Sequence, residues 1–196
     1  EYLNWLDHLL QYNNLLPMKL SGTTYKFKIF DSPSEMMAEI KKLNRYKNKS
    51  RMVAGYCWDW NSRKNSHQKD IVIGDDFAYK WNLSNDDTWS ISKGSVDQIG
   101  CIHTCQGLEF EYVGVIIGED LVYRDGIIKV NPSKRSSNDR SIRGWKKMEQ
   151  EDRESTHDKL RALIKNTYRT LMTRGMKGCY VYVCDEELRN YIKQWI

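Results

Sequence analysis

Apolar residues recur along this chain with two periods, and the switches between them mark out its elements. Tyr2, Trp5, Leu6 and Leu9 share one face at helical spacing, which predicts an amphipathic helix over residues 2–11. Tyr25 to Phe30 alternates instead, with Lys26 and Lys28 on the opposite side, the pattern of a half-exposed strand. Asp31-Ser32-Pro33-Ser34-Glu35 then carries the chemistry of a helix start: Ser32 as cap, Pro33 at the first helical position and Glu35 three residues after the cap. Met36, Met37, Ile40 and Leu43 form the buried stripe of that helix.

Four runs are apolar without alternation: Met52 to Cys57, Asp70 to Ile73, Tyr112 to Gly118 and Cys179 to Cys184. Such runs read as strands covered on both faces. From Ser155 the spacing of Leu160, Leu163, Ile164, Tyr168, Leu171 and Met172 predicts a long helix, with Gly175 and Gly178 suited to its end. Asp185 fits the cap of a closing helix. Doubly apolar strands interleaved with helices predict a three-layer α/β domain around a mainly parallel sheet. Residues 58–69 and 82–95 are polar connectors. Residues 131–154 are rich in Pro, Ser, Asn and charge, which predicts a long mobile excursion inside one domain.

A length of 196 residues is enough for one domain with a sizeable core, and 40% apolar with 29% charged residues excludes the disordered and membrane classes. The net charge of +5 only mildly favours a polyanionic partner. Cys57, Cys101, Cys105, Cys179 and Cys184 lie in or beside apolar runs, where thiols act as small hydrophobes. No C-x-x-C pair occurs and the His residues are scattered, so no metal site is expected, and cytoplasmic placement follows. No signal or membrane-spanning segment is visible. Glu1 opens directly into a helical pattern without Met, which predicts a piece of a longer polypeptide.

Two polar segments at the ends of buried strands carry the candidate chemistry. In an open α/β sheet, ligands sit outside the carboxyl ends of strands. Arg174 falls where the long helix gives way to a strand, between Thr173 and a residue with no side chain. A guanidinium there can point across a domain cleft toward a phosphate, although the helix dipole also favours an ordinary surface arginine at that place. Arg169 shares this ambiguity. In the second segment Gln106 offers a donor and an acceptor, Gly107 permits close backbone approach, and Glu109 can accept from ribose hydroxyls. His103 and Thr104 are suited to a backbone phosphate or sugar. Trp58 and Trp60 flank Asp59 after a strand, where one ring has the chance to stack on a base or to pack at the surface. The basic residues Lys134, Arg135, Arg140, Arg143, Lys146 and Lys147 are suited to track a nucleic-acid strand, but Glu149, Glu151, Asp152 and Glu154 make a mixed-charge loop an equal reading.

Taken together and in this order, the two segments resemble motifs V and VI of superfamily 1 helicases, which read roughly H-x-x-Q/K-G-x-E-F and end in T-R-A or T-R-G. The fuller resemblance is to the bacterial Schlafen-group-3-like DNA/RNA helicase domain. It is carried by Ser50-Arg-Met-Val-Ala-Gly-Tyr-Cys-Trp-Asp-Trp60, Lys80-Trp-Asn82, Val113-Gly-Val-Ile-Ile-Gly-Glu-Asp120 and Asn166-Thr-Tyr-Arg-Thr-Leu-Met-Thr-Arg-Gly-Met-Lys-Gly178. The resemblance implies the second RecA-like domain of an ATP-dependent helicase or translocase. It implies that Arg174 reaches the γ-phosphate as an arginine finger. Gln106, Gly107, Glu109 and Arg169 would line the ATP cleft. His103, Thr104, Thr173 and Trp58 would meet single-stranded DNA or RNA. The G-x-x-x-x-G-K-[ST] loop and its acidic magnesium-binding partner are not found in this sequence. ATP and Mg2+ would therefore belong to a site completed by an N-terminal RecA-like partner domain, and the chain alone would bind neither. Asp185 and Glu186 imitate the acidic pair but fit a helix cap better. The rival reading is a non-catalytic nucleic-acid-binding or scaffold module that kept the fold. A nuclease is disfavoured, because Asp70, Asp75 and Asp76 sit at a Gly74 turn and not in a carboxylate cluster.

Overall fold

The computed structural model describes residues 1–12, 19–21, 23–82 and 88–196. Part of the 82–95 connector therefore lies outside the described residues. The helices are α1 (Tyr2–Leu9), α2 (Pro33–Lys47), α3 (Trp145–Glu151), α4 (Arg153–Met172) and α5 (Glu186–Lys193). The strands are β1 (Lys26–Phe30), β2 (Ser50–Ala54), β3 (Ile71–Ile73), β4 (Phe77–Trp81), β5 (Gln98–Gly100), β6 (Phe110–Ile117), β7 (Leu121–Arg124), β8 (Ile127–Val130) and β9 (Gly175–Val183).

Among the described residues the main sheet has seven strands in the order β1-β9-β6-β2-β5-β4-β3, all parallel but for the antiparallel edge pair β3–β4. Alternation within the apolar strands divides the core into two layers. Val113, Val115 and Ile117 of β6 and Cys179, Val181 and Val183 of β9 pack on one face, with Trp5, Leu6 and Leu9 of α1, Ile164 and Leu171 of α4, and Leu188 of α5. Their neighbours Ile116, Tyr180 and Tyr182 point the other way, onto Met36, Met37 and Ile40 of α2. This is the mostly parallel, helix-flanked sheet that the hydrophobic pattern predicts. β7 and β8 form a separate hairpin. No described helix is long and apolar enough to cross a membrane.

The helix starts follow their local chemistry. Ser32 Oγ accepts the Glu35 N–H at 3.2 Å with Pro33 in the first turn, and Asp185 accepts the Leu188 N–H at 2.9 Å. Gly175 and Gly178 are not helix terminators, as the sequence suggests; they belong to β9, and α4 ends at Met172. The reason is close packing: a Cβ on Gly175 would lie 2.1 Å from the Gly178 carbonyl oxygen, and one on Gly178 would lie 2.5 Å from the Lys26 carbonyl oxygen. The strand thus starts four residues earlier than its apolar run.

In place of an excursion, residues 131–154 carry 3-10 turns at Pro132–Lys134 and Arg140–Ile142, then α3 and the start of α4. Arg135 turns inward, with Nη1 2.9 Å from Asp120 Oδ2 and Nε 2.5 Å from Asp139 Oδ2; all three side chains are essentially fully buried. Asp120 also accepts from the Tyr168 hydroxyl, which in turn accepts the Gly118 N–H at 2.9 Å. Burial disfavours the Arg135 cation, but the two carboxylates outweigh that and hold its pKa above the ordinary guanidinium value. The composition of this stretch conceals that its charges satisfy one another across the fold. A Cβ on Gly55 would sit 2.0 Å from the Tyr168 hydroxyl oxygen, so only glycine lets β2 end this close to the network.

Candidate functional site

The two polar segments meet at one corner of the sheet. β6 and β9 pair from Phe110↔Gly175 to Ile117↔Val183, and the Phe110 N–H donates to the Arg174 carbonyl at 2.8 Å. That single bond sets the backbone at Glu109 beside that at Arg174. The corner lies at the amino ends of β6 and β9, the opposite edge from the one where open sheets usually hold ligands. α4 returns antiparallel to the strands, so its carboxyl end delivers Arg174 to the amino edge.

Several packed rings fix this corner. Trp89 is fully buried and meets Phe110 edge-on, with centroids 5.7 Å apart at 87°. The Tyr25 hydroxyl donates to the Gly175 carbonyl at 3.1 Å, and the Tyr2 hydroxyl donates to the Met172 carbonyl at 3.0 Å. Tyr2 and Tyr25 stack at 4.1 Å. The Tyr2 and Tyr25 braces are legible in the sequence only as apolar positions, because their hydroxyls bond to backbone 170 and 150 residues away, and Trp89 falls in a stretch that reads as a polar connector.

Arg174 is half-buried. Its Nε donates to the Thr170 carbonyl at 3.1 Å, and among the described residues it has no ion-pair partner. It lies near Cys105, whose thiol is pushed up to about 12 by burial, with the Arg174 charge pulling the other way. His103, Gln106, Gly107 and Glu109 are exposed, and among the described residues the side chains of His103, Gln106 and Glu109 make no hydrogen bond or ion pair. Gly107 has φ of 76° with nothing within 4 Å of where a Cβ would be, so glycine is needed for the turn and the space beside it is open. A guanidinium with free Nη atoms on the same corner as an uncommitted amide and carboxylate can grip an anion and orient hydroxyl groups.

The other candidates divide. Thr104 closes its own turn, its Oγ1 accepting the Cys101 N–H at 2.9 Å, and Thr173 Oγ1 donates to the Thr170 carbonyl at 2.9 Å. Arg169 turns away from Arg174. It grips Asp7 of α1 with both arms, Nε to Oδ1 at 2.5 Å and Nη2 to Oδ2 at 3.1 Å, tying α1 to α4. Trp58 follows the carboxyl end of β2, where its carbonyl accepts the Trp81 indole N–H at 3.0 Å. Phe110 and Ile116 are six steps apart along β6, about 20 Å at strand rise, so Trp58 stands at the far edge from Arg174. Arg51 has a different part from any ligand contact. It is wholly buried, burial pushes its pKa down to about 10, and it donates to Asn44, Asn48 and Ser95 side chains, joining the end of α2 to the turn before β5. Asp185 at the end of β9 is committed to its cap and to Arg124 at 2.7 Å. Asp70 is likewise spent, on Ser62 and the Trp81 N–H. Among the described residues no group of three or more His, Cys, Asp or Glu converges to hold a metal ion.

The family model described as "Schlafen group 3, DNA/RNA helicase domain" matches residues 1–185. The chain belongs to the Schlafen group 3 helicase-domain family. A similar relative is the uncharacterized protein YPL245W of Saccharomyces cerevisiae, 29% identical over 205 residues and covering 96% of this chain. The chain spans 43% of that relative's length. No solved structure matches. Both segments of the Arg174 corner fall within the family match, so membership covers the corner as well as the fold.

Proposed function

We propose that this Schlafen group 3 domain is the second motor domain of an ATP-dependent helicase or translocase, contributing Arg174 to a triphosphate held mainly by another domain. The observation that carries the reading is the Phe110–Arg174 backbone bond. It sets Arg174, whose guanidinium has no carboxylate partner among the described residues, on the same open edge of the sheet as the Gln106-Gly107-Leu108-Glu109 turn. Family membership and the parallel, helix-flanked sheet support it.

On this reading Arg174 neutralises charge on the terminal phosphate, Gln106 and Glu109 bond the nucleotide's polar groups, and Gly107 lets the backbone approach. Bound ATP would supply the phosphoanhydride whose hydrolysis drives movement. Mg2+ would be held by the partner domain, since among the described residues Glu109 is the one uncommitted carboxylate of this corner. His103 and Thr104, on the same turn, would couple the cleft to a single strand of DNA or RNA. Arg169 holds α1 against α4, so its part is to position the helix that carries Arg174.

The test uses the longer polypeptide containing this chain and its ATP-binding partner domain. Arg174→Ala is expected to lower ATP turnover about 10³- to 10⁵-fold while ATP affinity stays nearly constant. An unchanged rate removes Arg174 from the site. ATP turnover by the 196-residue chain alone would overturn the division of labour. Salt-sensitive nucleic-acid binding with no ATP linkage in the longer polypeptide would favour a non-catalytic module.

A further inference from the structure

We propose a second nucleic-acid site at the opposite edge of the sheet: a cleft between residues 56–63 and 132–146 that binds single-stranded nucleic acid through its phosphates, with a base against Trp60. This does not rest on the Arg174 reading, since the two sites occupy opposite ends of the strands.

The cleft measures about 810 Å³ and is lined by Tyr56, Trp60 and Trp145 among aromatic residues and by Arg63, Arg135, Arg140, Arg143 and Lys146 among basic ones. A cavity of that size accommodates a ligand on the scale of a nucleotide, where pockets run about 300–1,000 Å³. Its one acidic lining residue is Asp139, already bound by Arg135 and by the Ser141 N–H and hydroxyl. Arg63, Arg140, Arg143 and Lys146 are exposed and, among the described residues, have no carboxylate partner. Arg140, Arg143 and Lys146 recur every third residue along one wall, while Arg63 stands on the other. Cations spread over both walls suit a chain of phosphates better than a single one.

The fold separates the mixed charges of this stretch. Glu149 pairs with His157 at 2.6 Å, Glu151 faces Lys147 at 4.0 Å, and Asp152 caps α4 through the Ser155 N–H at 3.1 Å. Lys134 is drawn to Glu119 at 2.6 Å. Glu149, Glu151 and Asp152 are thus committed outside the cleft, Glu154 is not among its lining residues, and the four unpaired cations remain inside it. Unpaired like charges gathered in one cleft make a site that a polyanion relieves.

The walls are joined firmly enough to hold a shape. Ser136 N–H donates to the Tyr56 carbonyl at 2.9 Å, Trp60 N–H to Asn138 Oδ1 at 3.0 Å, and Asp59 Oδ1 accepts from the Ser136 hydroxyl and Ser137 N–H at 2.6 and 2.9 Å. Trp60 and Trp145 are half-buried, each with a cation over one face of its ring, Arg63 at 5.4 Å and Lys146 at 5.9 Å from the centroids, so a base would take the other face. Flat rings together with cations are how proteins hold single strands, with bases stacked and phosphates tracked.

The experiment follows fluorescence anisotropy of a labelled oligo(dT) of about twelve nucleotides, within the usual site size, titrated with this chain at salt from about 50 to 200 mM. The combined Arg63→Gln, Arg140→Gln and Arg143→Gln variant is expected to bind at least about tenfold more weakly at low salt. Its log–log salt slope should shrink by about 2, three contacts at about 0.7 each for a single strand. A matched loss of charge elsewhere, Lys42→Gln with Lys129→Gln and Lys193→Gln, is expected to change neither quantity appreciably. Trp60→Ala should weaken binding about tenfold with the slope intact. If that variant unfolds, the exposed arginine variants still decide the question. The proposal is overturned if the unaltered chain does not bind, if the cleft and control variants weaken binding equally, or if a duplex of the same length binds as tightly with the same slope.

Discussion

Replacing Arg135 with Met should cost far more than its place in a charged, Ser-rich segment suggests. The substitution removes a guanidinium that is 1% exposed and leaves the Asp120 and Asp139 carboxylates, both 0% exposed, without their shared counter-ion. Asp120 keeps the Tyr168 hydroxyl, and Asp139 keeps Ser141, which soften the loss without neutralising either charge. Removing one partner of a buried pair costs about 3–5 kcal/mol. At about 2–4 °C per kcal/mol for a chain of this size, Tm should fall by roughly 6–20 °C. Differential scanning calorimetry of Arg135→Met beside Lys134→Met makes the comparison internal. Lys134 is the preceding residue, with the same charge, but its pair with Glu119 is half-exposed and screened, so its Tm should barely move. Replacing Asp120, Arg135 and Asp139 together by Asn, Met and Asn should recover much of the loss, because no uncompensated buried charge remains. Equal Tm shifts for Arg135→Met and Lys134→Met would refute the claim that this segment's charges brace the domain.

Two further outcomes follow from the structure. Arg169→Ala should lower stability by no more than about 1 kcal/mol, since its pair with Asp7 is partly exposed, and in the longer polypeptide it should reduce ATP turnover far less than Arg174→Ala does; a loss as large as that of Arg174→Ala would return Arg169 to the cleft. Burial alone would raise the Asp185 pKa, but Arg124 and the N–H groups of Leu188 and Tyr123 outweigh it and hold the carboxyl below its ordinary value. A depressed carboxylate contributes stability above its unfolded pKa and loses it as pH falls through the folded one. The Tm gap between the unaltered chain and Asp185→Asn, which keeps the cap, should therefore be full at neutral pH and close below about pH 4; a gap independent of pH would show that the charge is idle.

Local patterns alone determined a good deal of this protein. The unbroken apolar runs of β6 and β9 announced strands covered on both faces, Ser32 and Asp185 announced their helices, and the Gln106 to Glu109 and Thr173-Arg174 segments stood out as polar residues at buried strand ends. Such features are legible because burial and capping depend on neighbours within a turn or two of the chain. β5 was harder, since three residues cannot establish a period. Tertiary structure decided everything that depends on a distant partner. It turned Arg169 onto Asp7, 162 residues away, while leaving Arg174 without a carboxylate among the described residues. It set the Arg174 corner at the amino edge, because the direction in which α4 crosses the sheet is fixed only when the strands pair. It drew Arg135 inward to Asp120 and left Arg140 and Arg143 facing a cleft with Trp60. Charge pairing is a matter of a few ångströms in space, and a sequence of mixed signs is compatible with many pairings until the core has chosen one.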